Sequence, residues 1–310
     1  MNYAHRLLAI GLLALLALFV VACGDSGGSN GSGGEDEGDS GTANPAVSDE
    51  ELVSNIPGVF AQSVGAYEGD TVSSMQGDVA FDFTMGTIEM AGTANFAVNG
   101  PDQFYMTMEF EGGDGQSLID LSELGTFEVL AREGSIYINM ALLGGWIALT
   151  PEDLGGDYAG LQDLLTSGSL LDYGSLVEQL SAQGQIEHVG QEEINGHNTA
   201  HYRVTGDLQT LIGAFSGALS ATGDNAFAQQ ILGSQVTGPV SVDVWLGTED
   251  LLPYKMVANA DLNAGTEGTL AMSLTANLGN YNETVAIPDA PAEAKTFAEL
   301  FGDLGLESGE

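Results

Sequence analysis

From Val79 onward the chain places an apolar side chain at every second position, through three long runs in succession. Val79, Phe81, Phe83 and Met85 alternate with Asp78, Ala80, Asp82 and Thr84. Past Gly86, Ile88, Met90, Ala94, Phe96 and Val98 alternate with Thr87, Glu89, Thr93, Asn95 and Ala97. Then Phe104, Met106, Met108 and Phe110 alternate with Tyr105, Thr107, Glu109 and Glu111. A strand shows successive side chains to opposite faces, so each run is a strand with one apolar and one wet face, as antiparallel sheets have. The connections are short and hold Gly, Asn or Pro, which suits hairpins. Ten residues at ~3.3 Å each give strands of roughly 33 Å.

The same period predicts strands at 127–131, 135–140 and 146–149. It returns at 185–194 and 197–205, joined by Asn195-Gly196, a tight-turn pair. Three closing strands follow, with Val240, Val242, Val244 and Leu246 in the first, Tyr254, Met256, Ala258 and Leu262 in the second, and Leu270, Met272, Leu274 and Leu278 in the third. Helical spacing marks 48–67, where Ser48 and Glu51 form a capping box and Pro57 is expected to kink or split the helix. It also marks 157–165, 172–183, a helix after Asp207 carrying Leu208, Leu211, Ile212, Phe215 and Leu219, a short piece at 225–232, and a tail helix with Phe297, Leu300, Phe301 and Leu304. About eleven strands form a sheet too long to lie flat, and its apolar face needs a cover. The amphipathic helices are the candidates. The expectation is an α+β, strand-dominated fold: one long curved antiparallel sheet with helices on its concave face.

The start of the chain is of another kind. Arg6 precedes an apolar run from Leu7 to Ala22, and Val20-Val21-Ala22 leads into Cys23, the single cysteine. This run of 16 residues is shorter than the ~20 of a spanning helix. Small residues precede the cysteine, as cleavage requires, and no basic stop-transfer flank follows it. A lone cysteine forms no internal disulfide, which leaves modification as its purpose. The layout resembles a bacterial lipoprotein signal peptide with its lipobox. Residues 1–22 are expected to be removed and Cys23 to carry lipid, anchoring the chain to the outer face of a bacterial membrane in the cell envelope. Residues 23–47 are Gly, Ser, Asp and Glu with little to bury, and read as an acidic tether. The match Gly27-Gly28-Ser29-Asn30-Gly31 to a nucleophile-elbow pattern lies in this tract with no strand before it or helix after it, and reads as low complexity.

The folded unit is expected over 48–290, with a docking tail over 291–310. Beyond the signal, Arg132, Arg203, Lys255 and Lys295 are the only basic residues against 44 acidic ones, a formal charge of −40. Such a surface repels phosphate, so nucleic acid is a poor partner. It also repels anionic headgroups, so the anchor rather than charge must hold the chain at a membrane.

Three stretches carry a family resemblance. They are Ile136-Tyr137-Ile138-Asn139 running to Gly144-Gly145-Trp146; Glu193-Ile194-Asn195-Gly196 with His201-Tyr202-Arg203-Val204; and Val242-Asp243-Val244-Trp245-Leu246 with Leu252-Pro253-Tyr254-Lys255-Met256. With the lipobox, the tether and the order of elements, they make residues 48–290 resemble the LppX/LprA/LprG group of bacterial lipoproteins, which share the unclosed half-barrel of the LolA and LolB carriers. The resemblance implies a protein that holds lipid or acyl chains between sheet and helices. The acidity of this chain departs from the group and speaks against an anionic cargo.

The sequence points to no enzyme, metal or cofactor. His197 and His201 lie four apart on a strand, roughly 13 Å, too far for one metal, and a surface role is expected; His188 lies on the neighbouring strand. Asp261-x-Asn263 opens like a calcium loop, but Met272 holds the twelfth position. Methionine, which adapts its shape to varied apolar partners, recurs on the strand rows at 85, 90, 106, 108, 140, 256 and 272. Ordinary core filling accounts for these positions equally well. The candidate lining of a ligand cavity is Phe81, Phe83, Met90, Phe96, Met106, Met108, Met140, Met256 and Met272 from the strands, with Leu176, Leu211 and Phe215 from the helices. Trp245, on the row opposite Val244, is expected either at an exposed rim or packed under the last helix. Two functions fit: an anchored carrier of a hydrophobic ligand, or a surface interaction or sensing module with a solid core on the same fold.

Overall fold

The computed structural model describes residues 47–67, 72–86, 88–100, 103–111, 125–132, 134–141, 144–149, 185–208, 236–263, 265, 268–296 and 299. Among these residues two short helices, α1 (Asp49–Ser54) and α2 (Ile56–Tyr67), precede twelve strands. The strands are β1 (Ser74–Met85), β2 (Ile88–Asn99), β3 (Phe104–Glu111), β4 (Thr126–Arg132), β5 (Ser135–Met140), β6 (Gly145–Leu149), β7 (Ile186–Ile194), β8 (His197–Asp207), β9 (Pro239–Gly247), β10 (Pro253–Asn263), β11 (Thr269–Gly279) and β12 (Lys295–Thr296).

The helical segment splits where the sequence says it must. Ser48 caps α1 by accepting the Glu51 N–H, and Asn55 ends it. The Asn55 side chain then accepts the Gly58 N–H, starting α2. Pro57, the second residue of α2, needs no N–H partner there.

All twelve strands form one sheet in the order β12-β6-β5-β4-β3-β2-β1-β11-β10-β9-β8-β7. It consists of two antiparallel meanders, β1 to β6 and β7 to β11, fused where β1 pairs with β11 from Gln76↔Gly279 to Met85↔Leu270. The outermost strands, β12 and β7, do not pair, so the sheet is unclosed. One strand exceeds the eleven expected. The two-residue β12 lies parallel to β6, with Lys295 opposite Ile147, just before the expected tail helix. A strand of two residues carries no periodicity, which is why the pattern missed it.

Alternation sorts the two faces. The largest apolar cluster takes its buried members from one face of β1–β6, β10 and β11. A second joins Leu52 of α1 and Val59 of α2 to Ile186, Ala200, Tyr202, Val204, Val244 and Leu246 of β7–β9. The described helices therefore cover the β7–β9 end of the apolar face. The tyrosine hydroxyl of Tyr202 donates to the Leu52 carbonyl at 2.9 Å, tying β8 to α1. Apart from Leu208, Glu299 and the tether's last residue, Val47, the expected helices at 157–165, 172–183, 208–219, 225–232 and 297–304 lie outside the described residues, as do the signal, Cys23 and the rest of the tether.

The segment after β11 crosses the other, reverse face. The Ser74 hydroxyl donates to the Glu283 carbonyl, and the Arg132 guanidinium donates to the Pro288 carbonyl and pairs with Asp289 at 3.3 Å. This strap carries the chain from the middle of the sheet to its β6 edge.

Candidate ligand-binding face

The register brings six of the predicted lining residues into one cluster. Phe96 lies opposite Met106. Phe83 faces Met90 on one side and Met272 on the other. Met108 sits between Ala94 and Phe127. Phe81, Phe83, Met90, Phe96, Met106 and Met108 are all buried within this cluster. Met256 is half-buried and packs against both the large cluster and the one under the helices. Met140 and Met272 are half-buried on the same rows. Leu176, Leu211 and Phe215 lie outside the described residues.

Two glycines shape this floor. A Cβ on Gly92 would stand 2.5 Å from the Phe81 ring, and one on Gly77 would stand 2.8 Å from the Phe96 ring. Each phenylalanine thus lies flat over the strand beside it instead of standing up from the sheet. Phe81 also meets Phe110 edge to face, with centroids 6.0 Å apart. The result is a wide, low apolar surface with four buried phenylalanines and four buried methionines. Met75 is one of them and escaped the sequence reading, because Gly77 interrupts the apolar row between Met75 and Val79. Leu130 was missed too. It is fully buried on the reverse face, opposite Tyr105 and Tyr137, where alternation predicts a polar residue.

The reverse face holds a compact polar group on β8, β9 and β10. His201 and Asp243 are both buried, with Nε2 2.6 Å from Oδ1. The same carboxylate oxygen accepts from Arg203 Nε at 2.8 Å. The His201 ring stacks on Trp245 at 4.2 Å, the Lys255 ammonium lies 4.8 Å from the indole centroid, and the indole N–H donates to Glu192. This corrects one expectation. His201 is not a surface residue, because the register sets it beside Trp245, whose ring shields it. Trp245 is buried, with His201 stacked on its ring and Lys255 beside it, and the expected last helix lies outside the described residues.

A histidine–carboxylate pair invites a catalytic reading, which requires a nucleophile on the other ring nitrogen. His201 Nδ1 instead faces Glu192 at 3.8 Å. His188 lies opposite Tyr202 across the hairpin, meeting it edge to face at 5.4 Å, and so belongs to the apolar face rather than to His201. Burial first, and then the charge of His201, lower its pKa. Among the described residues no group of three His, Cys, Asp or Glu side chains is placed to hold a metal.

No family model matches the chain. It is 30% identical over 161 residues to an uncharacterized 31.2 kDa protein from the rplA-rplJ intergenic region of Streptomyces griseus, covering 48% of this chain and 52% of that one. The chain thus spans about half the length of the curated relative it matches. Among solved structures it is similar to LprF from Mycobacterium bovis, at 14% identity and a TM-score of 0.41, covering 75% of this chain and 95% of that chain. It is also similar to the lipoprotein LppX from Mycobacterium tuberculosis, at 16% identity and a TM-score of 0.40, covering 78% and 100%. A LolA superfamily protein from Nitrosomonas europaea follows at 11% identity and a TM-score of 0.24, covering 76% and 94%.

Proposed function

We propose that this chain is a lipid-anchored protein of a bacterial cell envelope that binds a hydrophobic ligand, an acyl chain, against the Met–Phe face of its sheet. The observation that supports this reading is the form of that face. Its buried cluster draws on strands across most of the sheet and, among the described residues, includes no helix. Flattened phenylalanines and flexible methionines suit a ligand of variable shape. Burial of about 15 methylenes at ~0.8 kcal/mol each supplies some 12 kcal/mol before ordering costs, ample for retention. With a formal charge of −40 beyond the signal, the favoured ligand carries an uncharged headgroup.

Native mass spectrometry of the full chain, purified in mild detergent from a lipid-rich host, tests the reading. Retained lipid and saturable binding of a fluorescent diacylglycerol, which carries no charge, are the expected results. A chain that retains none and binds none is the solid-cored interaction module instead. Incorporation of radiolabelled palmitate, lost on Cys23→Ser, tests the anchor separately.

A further inference from the structure

A cavity at the β2–β1–β11 seam is bordered mainly by polar side chains of the reverse face, with Phe96 and Leu278 of the apolar cluster also on its border. Register sets Asn95, Asp78 and Asn277 side by side on β2, β1 and β11. They line a cleft of about 500 Å³, within the ~300–1,000 Å³ range of ligand sites. Asn277 Nδ2 donates to Asp78 Oδ2 at 2.8 Å. That bond fixes the two planar groups relative to each other and uses one oxygen of the carboxylate. Gln76 adds another carboxamide to the lining.

The wall opposite is aromatic. His197, at the start of β8, lays its ring flat on Tyr254 at 4.1 Å and 21°. Tyr254 is itself fixed by its hydroxyl, which donates to Asp250 at 2.6 Å, and by the edge of Tyr281 at 5.6 Å. His197 is nonetheless exposed, so its ring is backed on one face and open on the other.

The chemistry of this lining selects its ligand. Among the described residues no Lys or Arg lines the cleft, and the chain as a whole repels anions, so phosphates and other acids are disfavoured. One carboxylate already bonded to an amide makes a poor metal site. Polar walls reject an acyl chain. Planar carboxamides, which donate and accept, and a carboxylate, which accepts, match vicinal hydroxyls, and a backed flat ring matches the C–H face of a pyranose. We propose that this cleft binds a neutral saccharide. The proposal does not rest on the acyl-chain reading, since Asp78, Asn95 and Asn277 belong to the strand rows opposite the apolar ones.

The test titrates the full chain in detergent with neutral oligomers of glucose, mannose, galactose and arabinose, read by saturation-transfer NMR and calorimetry. At least one oligomer should bind saturably. Asn277→Ala and His197→Ala should each weaken it about tenfold or more, and a carboxylated counterpart of the same sugar should bind more weakly than the neutral one. His197 is exposed at a hairpin end, so its variant carries the test if Asn277→Ala fails to fold. Uptake of the fluorescent diacylglycerol, where the wild-type chain binds it, should be unchanged in His197→Ala. Absence of saturable binding by every oligomer, or equal binding in the folded variants, overturns the proposal.

Discussion

Tyr202→Phe removes one oxygen from the interior and should be felt throughout the β7–β9 end of the sheet. Tyr202 and Leu52 are both fully buried, and the hydroxyl donates to the Leu52 carbonyl at 2.9 Å. That carbonyl is one of the last four of a six-residue helix, which have no partner within the helix. The neighbouring Glu51 carbonyl is taken by the Asn55 N–H. Without the hydroxyl, Leu52 holds a buried acceptor that water does not reach, at a cost of ~1–3 kcal/mol. The ring itself would stay, edge-on to Phe60 at 5.2 Å and to His188 at 5.4 Å. Tyr202→Ala removes that packing as well and should cost ~3–5 kcal/mol. Urea unfolding followed by tryptophan fluorescence reads both, since Trp245 lies on the strand beside Tyr202. With a slope near ~2 kcal/mol/M, Tyr202→Phe should lower the midpoint by roughly 1 M. A midpoint equal to wild type, with a large loss in Tyr202→Ala, would refute the reasoning: ring packing alone would then hold the helix to the sheet.

Two further outcomes follow from the same geometry. His188 Nε2 is buried with no hydrogen-bond partner among the described residues, and its pKa is lowered from 6.5, chiefly by burial. The unfolded chain therefore takes up this proton first, so stability is full above about pH 6.5 and declines as pH falls toward the lower folded value; His188→Phe should flatten that decline in urea midpoints measured from pH 8 to 5. Gly92→Ala should destabilise by ~1–3 kcal/mol through overpacking, because its Cβ meets both the Phe81 ring and the Glu109 carbonyl. In a double-mutant cycle, Phe81→Leu should recover about 1 kcal/mol of that loss, the share due to the ring, and strict additivity would show that the ring does not lie over the glycine.

The strands of both meanders were legible because period-two alternation survives wherever one face is apolar and the other wet, as in β1 to β3. Ser48, Asn55 and Pro57 made the broken N-terminal helix legible for a local reason, since capping and the missing proline N–H act within a turn. What the sequence did not reveal was pairing between distant segments. Nothing local in Gln76 or Gly279 states that they face each other, and β12 is too short to carry a pattern. The polar group on the reverse face was hidden for the same reason. His201, Asp243 and Trp245 look like ordinary wet-face residues until the register of β8 and β9 stacks one on another. The saccharide cleft is a product of register too, with Asn95, Asp78 and Asn277 drawn from three strands. The apolar candidates on β1, β2 and β3 were easier, since hydrophobic rows announce themselves.

The seam between β1 and β11 has a kinetic consequence. It joins residues about two hundred positions apart in the chain, so its closure comes late in any folding sequence. Until then the first meander has a twelve-residue strand with an unpaired edge, the kind of template on which chains aggregate. A nascent or translocating chain cannot finish its central seam before residues 269–279 emerge. Folding of this protein is therefore tied to its completion, and truncation just short of β11 should remove the middle of the sheet rather than its end.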